Sequence, residues 1–350
     1  MQPVLMADLA TQHARLAPKL DAAVGHVLKS GRYIGGPTVA ELESSAGQLF
    51  GLAHTVGVNS GTDALILSLQ AMGIGPGARV AIPALSFFAT AEAVIAVGAT
   101  PIFIDVLPDR PVMNPAHLAD TACDAAILVH LFGALCPSPI GSIRFLSDAA
   151  QCAGWGHGTP TGEVAAVSFY PTKTWGAAGD AGAVLSNDKK LIDDVRAIAN
   201  HGQRVGKTHE QIQGIIGSNS RIDAIQAAIL LVHLEDLPRR ITQRKTHAAR
   251  YEEVLGQLAL PRHPHDAVHQ FVFRHPDRDR LANALNEDGI QTAIYYARPM
   301  YKEPAIQSPE SESHCPEAEL FCRENLAIPC HSHLQPEQVD WICARLKALL

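Results

Sequence analysis

Short apolar runs recur along the first half of the chain, each separated from the next by a loop or a helical pattern. Thr55-Val56-Gly57-Val58, Arg79-Val80-Ala81-Ile82, Pro101-Ile102-Phe103-Ile104-Asp105, Ala125-Ala126-Ile127-Leu128-Val129, Ile143-Arg144-Phe145-Leu146 and Val164-Ala165-Ala166-Val167-Ser168-Phe169 all have strand length. Between them, Leu65, Leu69 and Met72 fall at i, i+4 and i+7, and Ala89 to Val97 reads as a further helix. This alternation predicts an α/β fold: a mainly parallel central sheet flanked by helices.

Beyond Ser186 the period changes. Ile222, Ile225, Gln226 and Ile229 share one helical face and lead into a basic helix from Arg239-Arg240 to Arg250, a spine joining two domains. Val268 to Leu350 reads strand, helix, strand, then helices, with Val339, Ile342, Cys343, Leu346 and Leu350 marking the last amphipathic face. The expected division is a large domain over 1–236 and a small α+β domain over 237–350. Pro304 to Pro316 reads as a polar loop.

Two strand ends carry groups that belong together chemically. Asp148 follows the Ile143–Leu146 run, and Lys173 closes Ser168-Phe169-Tyr170-Pro171-Thr172-Lys173. Open α/β sheets bind ligands outside the carboxyl ends of their strands, so both groups are expected at one rim. Pyridoxal phosphate chemistry needs a lysine that bonds to the cofactor aldehyde and an acid that keeps the pyridine nitrogen protonated. An Asp and a Lys taken alone are more often a structural or solvated pair. A third feature shifts the balance. Asn59-Ser60-Gly61-Thr62-Asp63 is a glycine turn into a helix N-terminus, where free N–H groups and the helix dipole favour a phosphate. Read alone, N-capping by Ser60 or Thr62 explains that run as well. Beside Asp148 and Lys173, the phosphate reading is the better one.

Composition narrows the class. The chain has 350 residues, 47% hydrophobic and 18% charged, enough to bury one large and one small core. No run approaches the roughly eighteen apolar residues of a membrane span. The start, Met1-Gln2-Pro3-Val4-Leu5, lacks a basic region followed by an apolar stretch, so a cytoplasmic location is expected. Seven cysteines without a Cys-x-x-Cys argue against a disulfide framework and a zinc site. His263-Pro264-His265 sits in a Pro-rich stretch without nearby cysteines and is not read as a metal site. A net charge of -7 without a long basic run gives no reason to expect nucleic acid as a partner.

With these residues in view, the chain resembles the DegT/DnrJ/EryC1/StrS family of pyridoxal 5'-phosphate-dependent sugar aminotransferases, of fold type I. The resemblance runs through Leu9–His13, Ser30–Ile34, Ser60–Leu65, Asp148–Gln151, Ser168–Lys173, Asn219–Asp223 and Ile328–His331, in order. It implies that Lys173 links to the cofactor and later moves the proton, that Asp148 faces the pyridine nitrogen and that Gln151 contacts the phenolic oxygen. It further implies phosphate contacts from Gly61, Thr62 and Ser168, and stacking on the cofactor by Phe87. Phe88, the adjacent aromatic, is the alternative, since only one of the two can stack on the ring. Asn219 would reach the phosphate of a neighbouring subunit, giving a homodimer with shared active sites.

The implied reaction moves an amino group, in this family usually from glutamate, to a nucleotide-linked keto-sugar. His130-Leu131-Phe132-Gly133 is similar to the His-Leu-Tyr-Gly run of members acting at C3 of dTDP- or UDP-hexoses, which favours C3 over C4. A cyclitol or other non-nucleotide ketone needs the same catalytic set, and some members were described as regulatory proteins. A sugar-nucleotide diphosphate also needs local cations, for which Arg32, Arg204, Lys207 and Arg221 are candidates. Three departures from the family stand out. Only fourteen residues separate Gly133 from Asp148, near the minimum for a parallel crossover, so no helix is expected there and one sheet face is expected to be thinly covered. Gly179-Asp180-Ala181-Gly182 replaces a motif ending in two glycines, and Tyr295-Tyr296-Ala297-Arg298-Pro299 replaces a His-Tyr-Pro run.

Overall fold

A computed structural model describes residues 3–153, 162–203, 209–306 and 314–350. Arg204, Lys207 and positions 307–313 of the polar loop lie outside the described residues. Two helices, α1 (Leu9–Ser30) and α2 (Pro37–Phe50), precede β1 (His54–Val58), α3 (Gly61–Ala71), β2 (Arg79–Pro83), α4 (Ala89–Ala96) and β3 (Thr100–Ile104). There follow α5 (Pro115–Ala119), β4 (Ala125–Val129), β5 (Phe145–Asp148), β6 (Val164–Ser168), β7 (Gly182–Ser186) and α6 (Lys189–Ile198). The chain then enters the long α7 (Ala224–Leu255) and ends with β8 (Phe271–Arg274), α8 (Arg278–Glu287), α9 (Pro316–Glu324), β9 (Asn325–Ile328) and α10 (Pro336–Leu349).

The seven strands β1 to β7 form one sheet in the order β1-β7-β6-β5-β4-β2-β3. Only β7 runs against its neighbours, so the expected mainly parallel α/β sheet is present. Every residue of β4 is buried, as a strand covered on both faces must be, which is why its sequence is a plain apolar run without alternation. One face packs on α3 and α4 through Leu65, Leu69 and Val94, and the other on α2 and α7 through Leu42, Ala227 and Leu230.

Several expectations need correction. The strand before Asp148 begins at Phe145, two residues later than the apolar run suggested, because Ile143 packs in a small satellite core outside the ladder. The two helical stretches read as a spine are one unbroken helix of 32 residues with Pro238 inside it. In the C-terminal part, the strand expected directly after α8 is reduced to isolated bridges at Ile290 and Ala293. The true partner of β8 is β9, after α9, in antiparallel register from Phe271↔Ile328 to Arg274↔Asn325. Val4 bridges Ile290 and sits in the C-terminal core, far from it in sequence.

The short crossover between β4 and β5 has no α-helix, only a tight turn at Leu131–Gly133. An ion pair does the work of the missing helix. Arg110 and Asp266, 3.0 Å apart and almost fully buried, clasp the backbone of Leu135. Asp266 accepts its N–H at 2.9 Å and Arg110 donates to its carbonyl at 3.1 Å. Burial pushes the Asp266 carboxyl up, but the Arg110 guanidinium and the N–H groups of Leu135 and His263 outweigh it and hold the group below its ordinary value. The face expected to be thinly covered is closed by Val112, Met113, Leu118 and Cys136.

Candidate active site

Because β1, β4, β5 and β6 run parallel, their carboxyl ends open on one rim, where a cavity of about 410 Å³ lies. Seven of the eight expected site residues line it: Gly61, Thr62, Phe87, Asp148, Gln151, Ser168 and Lys173. Asn219 does not. It is exposed outside the cavity, where its side-chain oxygen accepts from Arg221 at 2.8 Å.

Asp148 is the last residue of β5 and is buried. Its carboxylate accepts from the Ala150 N–H at 3.1 Å and from the Thr90 hydroxyl at 3.3 Å, and Thr90 in turn contacts the Ser86 hydroxyl at 2.8 Å. Burial pushes the carboxyl up, opposed by the Ala150 N–H, the charge of Lys173 and Thr90. The group is thus aimed and tethered, yet still lacks a full cationic partner of its own. Thr90 lies on α4 and carried no signal in the sequence, since a Thr in a short apolar helix reads as packing.

Lys173 sits on a loop fixed from both sides. Phe169 and Trp175 are fully buried and meet edge to face at 4.8 Å, and the Trp175 indole N–H donates to the Leu230 carbonyl of α7 at 2.9 Å. The loop folds back on itself at Gly176, directly after Trp175, where a Cβ would lie 2.4 Å from the Pro171 carbonyl oxygen. The loop therefore presents Lys173 in one place. Enclosure lowers its amine from 10.5 to about 8, against the charge of Asp148, which favours the ammonium form.

At the other end of the cavity α3 begins. Ser60 caps it, accepting the Asp63 N–H at 3.0 Å, so the capping alternative is real. It does not exhaust the site, because the N–H groups of Gly61 and Thr62 in the first turn have no intrahelical acceptor. Gly61 packs so closely on β6 that a Cβ would lie 2.6 Å from the Ser168 Cβ. Phe87 is 57% exposed on the cavity, while Phe88 packs against the core. The Gln151 side-chain oxygen accepts the Phe132 N–H, which turns its amide N–H groups into the cavity, where one meets the Tyr296 hydroxyl.

The C-terminal part closes the cavity with His269, Gln270, Tyr295 and Tyr296. His269 was missed in the sequence because its neighbours Phe271 and Phe273 read as an ordinary strand. It is buried, with Nδ1 lacking a partner, and burial together with Lys173 and Arg244 holds the ring well below its ordinary value. Lys173 is the one Lys or Arg among the described residues lining the cavity. Arg32 is exposed, and Arg221 is engaged by Asn200 and Asn219 at 2.8 Å each. A larger cleft of about 930 Å³ between Asp109 and Pro276 holds Arg262–Glu252 and Arg274–Glu324, charges already paired with one another.

The sequence matches the profile of the DegT/DnrJ/EryC1/StrS aminotransferase family over residues 15–347. It is 35% identical to a pleiotropic regulatory protein of Geobacillus stearothermophilus, covering 98% of this chain and 97% of that one. It is 36% identical to a UDP-N-acetyl-3-dehydro-alpha-D-glucosamine 3-aminotransferase of Acidithiobacillus ferrooxidans, covering 99% and 97%. The fold superposes on a crystal structure of DesV from S. venezuelae in complex with a ketimine intermediate, with a TM-score of 0.92, 34% identity and coverage of 100% and 99%. The chain therefore belongs to the DegT/DnrJ/EryC1/StrS aminotransferase family.

Proposed function

We propose that the protein is a pyridoxal 5'-phosphate-dependent aminotransferase that moves an amino group from glutamate to a nucleotide-linked 3-keto-hexose carrying UDP or dTDP. The observation that carries this reading is the pairing, across one cavity, of a lysine amine near pKa 8 with a buried carboxylate that has room for a cationic partner.

The residues present fit the cofactor. A pyridinium N–H beside Asp148 would supply the positive charge that the carboxylate lacks, and the phosphate would meet the N–H groups of Gly61 and Thr62 beside Ser168. Phe87 offers a free ring face, and the Gln151 amide N–H groups suit the phenolic oxygen. When bound, the cofactor supplies an aldehyde that captures amino groups and a ring that withdraws electrons from the neighbouring carbon.

What the chain itself does is hold and move a proton. At pH 7.5 an amine near pKa 8 is neutral in about a quarter of molecules, against roughly one in a thousand for an ordinary lysine. Lys173 can thus attack a carbonyl and afterwards carry a proton on Nζ between two carbons, in a cavity whose walls include Phe87, Tyr295 and Tyr296.

Charge supports a homodimer. The cofactor phosphate and a sugar-nucleotide diphosphate bring several negative charges to a cavity whose Lys and Arg complement, among described residues, is Lys173. In this reading Asn219, held by Arg221 on an exposed segment, completes the site of a second copy. No helix among the described residues is long and apolar enough to cross a membrane, and we place the enzyme in the cytoplasm, away from membranes and nucleic acid.

C3 is favoured by the His130–Gly133 run and by the similarity to a 3-aminotransferase. A cyclitol or other non-nucleotide ketone is the alternative substrate, and likeness to a regulatory protein keeps a binding-only role as a second reading. The test is absorbance of the cofactor-loaded protein before and after glutamate. Replacement of the lysine-linked band by that of pyridoxamine phosphate, then its reversal by a UDP- or dTDP-3-keto-hexose with formation of amino sugar, is expected. A spectrum indifferent to glutamate and other amino donors would favour the binding-only reading.

A further inference from the structure

A second cavity, of about 570 Å³, opens between α1, the middle of α7 and the Ser332–Gln335 turn ahead of α10. Arg15, Arg239, His247, Arg250 and His333 form its walls, with Thr11, Gln243 and Thr246 between them. No carboxylate side chain among the described residues lines it, in a chain of net charge -7.

The charge behind this wall is unbalanced. Asp236 alone faces Arg15, Arg239 and Arg240, at 3.6, 2.7 and 3.1 Å. Arg240 is 1% exposed and its Nη2 has no partner. Arg244, also buried, meets among the described residues the carbonyls of His269 and Cys330, at 2.7 and 3.3 Å. Three guanidiniums thus share one carboxylate in a half-dry setting, and among the described residues no carboxylate lies within ion-pair distance of Arg244. Arg250 has Asp340 at 2.7 Å, but that pair stands in solvent. Asp8 caps α1 and lies within electrostatic reach of His331 and His333.

The imidazoles tell the same story. His247 and His333 are each nine-tenths buried, and Nδ1 of the first and Nε2 of the second lack hydrogen-bond partners. Burial and the neighbouring guanidiniums push both rings down, His333 to about 4. A buried cluster with surplus positive charge and unpaired polar atoms is costly unless an anion compensates it.

We propose that this cavity binds a phosphate-type oxyanion, held by the forked guanidiniums of Arg15, Arg239 and Arg250. Planar forks match the oxygens of phosphate. Arg239 is already bidentate to Asp236 and Arg250 bonded to Asp340, so the oxyanion takes the remaining N–H groups of these two forks together with Arg15, which Asp236 holds only at 3.6 Å. The site is separate from the cavity of Lys173, with no lining residue in common. The ligand is either free inorganic phosphate or the phosphoryl end of a nucleotide metabolite.

Calorimetric titration of the cofactor-loaded enzyme, whose cofactor-phosphate position is filled, tests this with inorganic phosphate, pyrophosphate and UDP in a buffer free of other oxyanions; because UDP also fits the substrate position in the Lys173 cavity, only the binding that the variants below remove counts for this site. One saturable site per chain is expected, with affinity lowered roughly tenfold or more by Thr246→Glu, which sets a carboxylate in the wall, and by the Arg15→Gln/Arg250→Gln pair. Lys190→Gln, on the exposed face of α6, should leave binding unchanged. Tighter binding of pyrophosphate and UDP than of phosphate would assign a diphosphate end, and equal binding of all three a single phosphate group. Absence of saturable binding up to about 10 mM, roughly ten-thousandfold weaker than 1 μM, overturns the proposal. So does equal affinity in both variants. Should Thr246→Glu fail to fold, the double arginine variant decides.

Discussion

Lowering the Lys173 amine to about 8 has a cost that can be measured without any substrate. In the unfolded chain the same amine titrates near 10.5, so between the two values the unfolded state binds more protons and stability rises with pH. The deficit is fully present below pH 8 and is relieved as pH climbs towards 10.5. At about 1.36 kcal/mol per pH unit, that interval corresponds to roughly 3 kcal/mol. The perturbation is Lys173→Met, which keeps length and removes the charge. Asp148 loses a neighbouring cation in the variant, but over this pH range that is a constant offset and drops out of the slope. Urea unfolding of the cofactor-free protein, followed by circular dichroism from pH 7 to 10.5, should show wild type gaining roughly 3 kcal/mol on the variant. Parallel curves, within about 1 kcal/mol, would mean that Lys173 is not held in a desolvated site, and the argument for a neutral amine near physiological pH would fail.

Asp266→Ala removes one half of a buried ion pair and frees the backbone of Leu135, so a loss of about 3–5 kcal/mol in urea stability is expected. Trp175→Phe loses the hydrogen bond to Leu230 and part of the indole, costing about 1–3 kcal/mol, and should slow turnover more than it raises KM because the Lys173 loop loosens. Asp148→Asn keeps an acceptor for Ala150 and Thr90, so melting should change little, while kcat falls about 10- to 100-fold as the charge-assisted contact to the ring nitrogen is lost. Mixing inactive Lys173→Ala and Asn219→Ala proteins should restore activity through one intact shared site; inactivity of all mixtures that demonstrably exchange subunits would rule out sites built from two copies.

How much of this could be read from residues alone depended on whether the signal was local. Apolar runs such as Ala125–Val129 were legible because a doubly covered strand leaves no room for polar positions. Lys173, Asp148 and Gly61 stood out because strand ends and glycine turns are punctuation in the chain. β7 was passed over although Gly182–Ser186 is short and apolar, since nothing local states that it runs antiparallel. Thr90, His269 and the Arg110–Asp266 pair were invisible for another reason. Their partners lie 58, 96 and 156 residues away, for His269 counting to Lys173, and only the packed fold brings them together. α7 shows the reverse case: Pro238 suggests a break, yet the packing of Leu230 and Leu237 on one side and Tyr251 and Leu255 on the other carries the helix through it.

The helix-free crossover has a practical consequence. Its backbone is tied at Leu135 and then runs in the open from Pro137 to Ser142, with Ile140 60% exposed, before β5 locks in through Ile127↔Leu146 and Val129↔Asp148. Doubling the length of such a loop costs only about 0.6 kcal/mol in closure entropy. That makes the open span a splice port: a tag or a small foreign domain inserted between Pro137 and Ser142 should leave the register of Asp148 untouched. The same insertion two residues earlier would have to pry apart a buried ion pair. The boundary between a permissive and a forbidden graft is therefore drawn by Arg110 and Asp266, neither of which lies in the loop itself.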